Sequence, residues 1–339
     1  MADGDDRSAS LPRDILQTHI VTRLDGPTLS AVGCVSSELR ALTADAHLWE
    51  KLCVSTWPSV SDPRVRHAIS SFRDGYRSFF TDSFYLISHR RDGHHLRRSE
   101  LKFPETTALI SAVDVYYKGT AIFSKVLEIM VEENEMFSCS PFRVDLKDAK
   151  EFVHPWVQRS GEETDLWLKE LKENVTLSWI LIDPVRSGAM NLSSHRPVMA
   201  QRHWLTGDVQ LKFAAVMEGF DERRTGKEWV ECGTVITLGG WKDGEDVHVK
   251  EACMGVEDME GRGLSGKDAM AILLNAMERG ERRRRAPETE RKIFEEFLTR
   301  KQGWKQTKRR KEKTMDVALN LLGITIVLVF WLWLFGVYR

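Results

Sequence analysis

The sequence predicts an α+β protein: a small helical module, a β-rich, sandwich-like domain, a basic helical stem and one C-terminal transmembrane helix. Three observations predict it. Apolar residues recur at helical spacing near the N-terminus, apolar and polar residues alternate through the middle, and a long uncharged, apolar run lies near the C-terminus. A hydrophobic content of 42% over 339 residues excludes a wholly disordered protein. The five irregularly spaced cysteines exclude a disulfide scaffold and a zinc ribbon.

The N-terminal module follows a short acidic tail. Residues 1–10 lack an apolar core, so we expect a disordered tail rather than a secretory signal. Within residues 11–57, one apolar stripe recurs every four residues through Leu16, Ile20 and Leu24. The chain then breaks at Asp25-Gly26-Pro27-Thr28, and later helices have candidate N-caps at Ser36 or Ser37 and at Asp45. Three or four helices this short bury little apolar surface alone, which predicts a surface for a partner.

The module resembles an F-box. The residues that agree with it in order and spacing are Leu11-Pro12-x-Asp14-Ile15-Leu16, Ile20, Arg23-Leu24-Asp25-x-Pro27-x-Leu29, Cys34-Val35-Ser36, Leu39-Arg40 and Leu48-Trp49. The extension Leu52-Cys53-x-x-Thr56-Trp57-Pro58-Ser59 is similar to the plant version of the motif. The resemblance covers about one-seventh of the chain.

This resemblance implies a non-catalytic role. F-box proteins dock on a Skp-type adaptor and so join a cullin–RING ubiquitin ligase, where they hold a protein substrate and perform no chemistry. The chain is then expected to be a substrate-recognition subunit of an SCF-type E3 ligase, without cofactor or metal and with an unidentified protein substrate. Sequence does not sort interface residues from internal core among the adaptor contacts carried over by position, which are Leu11, Pro12, Ile15, Leu16, Ile20, Leu24, Leu29, Val35, Leu39 and Trp49.

A helical connector and loop are expected over residues 58–104. Its aromatic residues stand near helical spacing and favour a helix that packs the module onto the next domain over a ligand site; they are Phe72, Tyr76, Phe79, Phe80 and Phe84. The histidines at 89, 94 and 95 flank an Asp92-Gly93 turn without supporting cysteine or carboxylate spacing. This pattern favours a solvated loop over a metal site.

Residues 105–280 are expected to form the β-rich substrate-recognition domain. Stretches rich in β-formers or alternating in polarity predict antiparallel strands around residues 109–117, 175–183, 209–215, 229–238 and 247–250. Several such strands favour a β-sandwich. Ser265 with Asp268 predicts the start of a helix that ends at Gly280. No repeat period is visible, which excludes WD40, kelch and leucine-rich-repeat receptors.

The β-rich domain leaves a second function open. The domain order weakly resembles plant F-box proteins whose second domain is like the phloem lectin. The alternative is therefore a membrane-tethered, lectin-like or other binding module whose F-box serves mainly its own turnover. Six tryptophans could line a ligand face, although core positions are favoured: Trp156, Trp167, Trp179, Trp204, Trp229 and Trp241. No Gly-x-Ser-x-Gly, P-loop or Gly-x-Gly-x-x-Gly motif indicates an enzyme.

The end of the chain predicts a membrane tether. The stem, 281–316, is basic: residues 281–313 hold 14 Lys/Arg against 6 Asp/Glu, a net of +8 that leaves −9 for the rest. The 22 uncharged residues of 317–338 give about 33 Å of helix, enough to cross a bilayer core. The expected membrane-interface residues are Lys308, Arg309, Arg310, Lys311, Trp331, Trp333 and Tyr338.

The basic flank also predicts the orientation of the protein in its membrane. By the positive-inside rule the N-terminus lies in the cytosol, on the endoplasmic reticulum or another endomembrane, with membrane lipid as a partner. Arg282-Arg283-Arg284-Arg285 leaves a nuclear route open, while no nucleic-acid partner is expected. Asn191-Leu192-Ser193 matches a glycosylation acceptor, but in this orientation it faces the cytosol and stays unmodified.

Overall fold

The structure, a computed structural model, describes residues 13–88, 108–131, 137, 139–147, 164–219, 229–239, 248–283 and 287–337. It confirms the α+β class. The N-terminal helices are α1 (Arg13–Ile15), continued by a π-helical turn (Leu16–Ile20) and a 3-10 turn (Val21–Arg23), then α2 (Gly26–Val32), α3 (Ser37–Leu42), α4 (Ala46–Thr56), a 3-10 turn (Pro58–Ser61), α5 (Pro63–Ser70) and α6 (Tyr76–Phe84).

Side-chain caps begin these short helices at the predicted Ser36 and Asp45, and also at Asp25, where the sequence predicts only a break in the chain. The Asp25 carboxylate accepts a hydrogen bond from the Thr28 amide at 2.9 Å and begins α2. Ser36 Oγ accepts from the Leu39 amide at 3.2 Å to begin α3. The Asp45 carboxylate caps α4 through the amide of His47. Each cap satisfies one of the backbone donors left free at a helix start. The caps therefore define where each of these short helices begins.

Two sheets form the β-rich domain. The first has six strands in the order β11-β1-β6-β5-β2-β3. The second has five strands in the order β4-β10-β9-β8-β7. The strands are β1 (Leu86–Ser88), β2 (Ala108–Tyr117), β3 (Thr120–Met130), β4 (Arg143–Lys147), β5 (Val175–Asp183), β6 (Gly188–Asn191), β7 (Met199–Arg202), β8 (Val209–Glu218), β9 (Trp229–Gly239), β10 (His248–Glu257) and β11 (Glu281–Arg283).

The largest core lies between the two sheets. Strand β5 contributes Leu177, Trp179 and Leu181, while β8 contributes Leu211 and Phe213, and all five side chains are fully buried. Helix α7 (Thr164–Asn174) and helix α8 (Gly266–Arg279) add apolar side chains to the same core. Helix α8 begins at the predicted Ser265 cap, whose Oγ accepts from the Asp268 amide at 3.2 Å. The sandwich-like arrangement expected from alternating polarity is therefore present.

A second core joins the helical module to the outer face of the six-stranded sheet. Phe79 and Phe80 of α6 are buried against both the module and the sheet, together with Phe72. The sheet contributes residues whose side chains point away from the main core, among them Ile110 and Ile180. The aromatic stripe therefore packs the module onto the next domain, as the helical spacing predicts.

The stem and the connector differ from their expected boundaries. Glu281–Arg283 forms β11, which pairs antiparallel with β1 of the connector, so both three-residue strands extend the first sheet. The final helix, α9, begins only at Pro287 and runs to Val337. Its first turns rest on the outer face of the five-stranded sheet, where Phe294 and Phe297 are buried beside Ala214. Half of the predicted stem is thus part of the folded body.

Candidate docking surface

Three of the predicted adaptor contacts are exposed on the helical module. Ile15 is 43% exposed, Ile20 is 38% exposed and Val35, between α2 and α3, is 74% exposed. Exposed branched aliphatic side chains do not stabilise the folded chain, and a partner that covers them gains free energy from removing them from water. These residues are the part of the module available for docking.

Three more predicted contacts are half-buried. Leu16, Leu24 and Leu39 each keep part of their side chain in contact with solvent. Leu24 also packs against the core that joins the module to the sheet. Leu11 and Pro12 lie outside the described residues.

The remaining two predicted contacts belong to the interior. Leu29 and Trp49 are each 1% exposed and pack within the second core. The Trp49 indole N–H donates to the backbone carbonyl of Thr43 at 2.7 Å. Its ring lies 5.5 Å, centroid to centroid, from the ring of Phe80. In this fold both side chains are buried and offer no surface to a partner.

A buried carboxylate attaches the turn that follows the module to the β-rich domain. Asp114 of β2 points to the module and is fully buried. Its side chain accepts from the Ser59 amide at 3.0 Å, from the Ser59 hydroxyl and from Ser124 Oγ at 2.7 Å. Burial raises the pKa of Asp114 to about 6, and the hydrogen bonds from Ser59 and Ser124 offset only part of this rise. Nearby, the Tyr116 hydroxyl donates to the carbonyl of Thr56.

The glycosylation-like tripeptide is also part of the interior. Asn191, Leu192 and Ser193 are all buried. The Asn191 amide donates to Ser178 Oγ at 2.7 Å, and its oxygen accepts from the Ser193 amide at 3.1 Å. In the folded chain this asparagine is a hydrogen-bonded residue of the interior.

The tryptophans of the β-rich region do not share one environment. Trp167 and Trp179 are buried in the main core. Trp229 is half-buried beneath the guanidinium of Arg300, which lies 4.8 Å from its ring centroid. Trp204, at 88% exposed, lies in a turn. Trp156 and Trp241 lie outside the described residues, so three of the four that the structure describes pack inside the body.

In the described part of the chain, Cys34 and Cys139 are exposed, whereas Cys53 and Cys232 are buried. There, no group of three or more His, Cys, Asp or Glu side chains is arranged to hold a metal ion. The three histidines at 89, 94 and 95 lie outside it. Burial raises the pKa of the Cys232 thiol to about 12 and raises that of Cys53 further, so both are unreactive side chains of the core.

The C-terminal helix leaves the folded body and exposes its apolar half. Side chains from Met315 to Val337 are exposed almost throughout. This helix is long and apolar enough to cross a membrane. Of the expected interface residues, Trp331 and Trp333 are exposed, while Tyr338 lies outside the described residues.

The basic residues of the stem divide between the folded body and solvent. Lys308 Nζ lies 2.8 Å from a carboxylate oxygen of Glu260, so this lysine ties the helix to the body. The exposed basic residues that follow it are Arg309, Arg310 and Lys311. In the four-arginine run, Arg282 pairs with Asp82 at 2.9 Å and is half-buried. That contact occupies part of the patch on which a nuclear route depends.

Curated proteins of Arabidopsis thaliana resemble the chain over most of its length. The F-box protein At2g27310 is 39% identical over 341 residues, covering 96% of both chains. The probable F-box protein At2g36090 is 40% identical over 327 residues, covering 94% of this chain and 92% of its own. The F-box protein At3g44326 is 38% identical over 322 residues, covering 93% and 86%. No family model and no solved structure matches. Identity at this level across both the helical module and the β-rich domain places the chain in the family of F-box proteins.

Proposed function

We propose that this chain is a substrate-recognition subunit of an SCF-type ubiquitin ligase. The observation that carries the proposal is the exposed apolar set Ile15, Ile20 and Val35 on a module that packs against a separate β-rich domain. A Skp-type adaptor covers this set, and through the adaptor the chain joins a cullin–RING ligase. The chain itself supplies no catalytic group.

The packing of the module against the β-rich domain explains how a bound substrate would be positioned relative to the ligase. The aromatic core around Phe79 and Phe80 and the buried Asp114 contact join the helical region to the β-rich domain. An adaptor bound to the module is thereby connected to that domain. The domain therefore holds a substrate at a fixed distance and orientation from the ligase. Such positioning raises the effective concentration of substrate lysines near the charged E2.

The apolar end of α9 supports a membrane location for the protein. We assign residues 317–338 as a single span, with the basic residues Arg309, Arg310 and Lys311 at the cytosolic face. The N-terminal body then lies in the cytosol, on the endoplasmic reticulum or another endomembrane. Its substrates are proteins that come to that membrane surface.

The docking claim is tested by introducing charges at exposed apolar positions, where the module is expected to stay folded. Ile15→Asp combined with Ile20→Asp replaces two exposed apolar side chains with carboxylates that the adaptor must desolvate. Capture of the full, detergent-solubilised chain by a purified Skp-type adaptor is expected to fall by at least about 100-fold, roughly 3 kcal/mol. The matched control is Val185→Asp, because Val185 is 62% exposed on the turn between β5 and β6 and is not among the predicted adaptor contacts.

Thermal unfolding of all three proteins completes the experiment. The double variant and the Val185→Asp control are expected to unfold close to the unmodified chain, since the substituted side chains are at least partly exposed. Undiminished adaptor capture by the folded double variant shows that the module is not the docking surface. For the lectin-like alternative, Trp167 and Trp179 are core residues and supply no ligand face, whereas Trp204 is exposed.

A further inference from the structure

A cleft lies between α7, the segment 194–198 and the start of α9. Its volume is about 350 Å³. The helix contributes Lys169, Lys172 and Glu173, the segment contributes Arg196, and α9 contributes Glu290 and Arg291. Four cations against two carboxylates give the lining a net charge of +2.

Three of the four cations form no salt bridge among the described residues. The side chains of Lys169, Lys172 and Arg196 form neither a hydrogen bond nor a salt bridge there, whereas Arg291 pairs with Glu295 at 2.9 Å. Elsewhere the chain pairs its partly buried basic groups, as in Lys301 with Glu231 and Arg282 with Asp82. Converging cations without partners cost folding free energy through mutual repulsion, and a bound anion removes that cost.

The half-buried ammonium of Lys172 is destabilised in its charged form by these surroundings. Burial, and then the positive charge of Arg291, lower the pKa of Lys172. Glu295 offsets this only in part. An anion in the cleft would interact favourably with both cations at once.

The position of the cleft argues against a lipid ligand. Arg291 precedes Val317, the first residue of the assigned span, by 26 residues of one continuous helix. At about 1.5 Å per residue this separation is about 39 Å. A cleft so far from the bilayer surface does not meet lipid headgroups, but it is open to a soluble protein.

We propose that this cleft binds an acidic stretch of a protein substrate, rich in Asp and Glu side chains; the word substrate rests on the proposed ligase function. Lys169 and Arg196 are exposed and make the first contacts, while Lys172 binds a carboxylate deeper in the cleft. The cleft lies on the β-rich side of the molecule, apart from the exposed residues of the module. A peptide bound there leaves the adaptor surface free.

The test uses the full chain in discs of neutral lipid and a fluorescent peptide of eight glutamates. The cleft variant carries Lys169→Gln, Lys172→Gln and Arg196→Gln. The control variant carries Lys51→Gln, Lys267→Gln and Arg279→Gln, which remove three exposed cations outside the cleft that lack ion pairs among the described residues. We expect the cleft variant to bind the peptide about tenfold more weakly than the control, because three charge-assisted contacts are lost.

Two results would overturn the proposal. One is equal peptide affinity of the cleft and control variants, which would mean that the peptide responds to overall charge alone. The other is a loss of binding to added vesicles of anionic lipid, caused by the cleft substitutions, with peptide affinity unchanged; the cleft would then be a membrane contact.

Adaptor capture, measured on the same variants, separates this inference from the proposed function. The cleft variant is expected to capture the Skp-type adaptor as well as the unmodified chain does. If the adaptor is captured normally but the peptide does not distinguish the variants, only the cleft assignment fails. If the peptide distinguishes the variants but no protein captures the adaptor, the cleft binds an acidic segment and the ligase role fails.

Discussion

Trp49 and Val35 both lie in the stretch that resembles the F-box, yet the fold gives them opposite environments. Trp49 is buried against Phe80 and Val35 is almost fully open to solvent. Motif spacing alone does not distinguish them, because a buried core residue and an interface residue are both apolar. Distinguishing them requires the position of α6, which supplies the ring behind Trp49 from outside the motif.

This difference predicts a separation of stability from docking. Trp49→Ala leaves a cavity and an unpaired Thr43 carbonyl, and should lower the free energy of unfolding by roughly 3–5 kcal/mol. Val35→Ala should change it by no more than about 0.5 kcal/mol. Denaturant unfolding of the two variants checks the prediction, and similar midpoints would contradict the burial described here.

Asp114 predicts a pH dependence of the module–domain contact. Its pKa in the folded chain is about 6, above the ordinary value of 3.8. The folded state therefore holds this proton more tightly than the unfolded state, so the stabilisation is fully present below about pH 4 and is lost as pH rises through about 6. The non-titrating control is Asp114→Asn.

The measurement is the stability difference between the unmodified chain and Asp114→Asn. Relative to the variant, the unmodified chain should lose about 2.4 kcal/mol between pH 4 and pH 7. A stability difference that stays constant over this range would show that Asp114 titrates normally. The comparison cancels the contributions of other carboxylates, which both proteins share.

At the scale of elements, five long strands were predictable, whereas the long edge strand β3, eleven residues from Thr120 to Met130, and the short edge strands were not. Strands β2, β5, β8, β9 and β10 have nine to eleven residues each and show the composition or alternation that sequence reveals. Strands β1 and β11 have three residues each. They are strands only because Leu86 meets Arg283 across a separation of almost 200 residues, and no local pattern encodes such a pairing.

Helix α9 carries a prediction of its own. Deleting residues 315–339 removes the exposed apolar half but keeps Phe294, Phe297 and Lys308, which attach the helix to the body. The shortened chain should be folded and soluble, and should leave the membrane fraction on alkaline carbonate extraction. Appending an unrelated apolar helix of the same length should restore membrane association.

Retention of the shortened chain by carbonate-washed membranes would contradict this assignment. It would mean that the folded body, rather than the apolar helix, holds the protein at the membrane. An unfolded shortened chain is recognised separately, since it would lose the adaptor capture expected of an intact module.

At the scale of the whole molecule, four layers follow one another. The helical module covers the outer face of the six-stranded sheet, the two sheets share the main core, and the first turns of α9 cover the outer face of the five-stranded sheet. Sequence suggested the parts and their order. It did not reveal that the module and the stem occupy opposite faces, because this depends on which side of each strand remains apolar once the sandwich core is filled.

Packed faces rather than linkers connect these layers, and α9 continues without a break into its exposed half. If that half crosses a bilayer, the helix holds the folded body at a fixed distance from the membrane surface. Ubiquitin would then be delivered at a set height above the lipid surface, and a target would be selected by how far its lysines project as well as by what it displays. Lengthening α9 by whole turns would shift that working height by about 5.4 Å per turn.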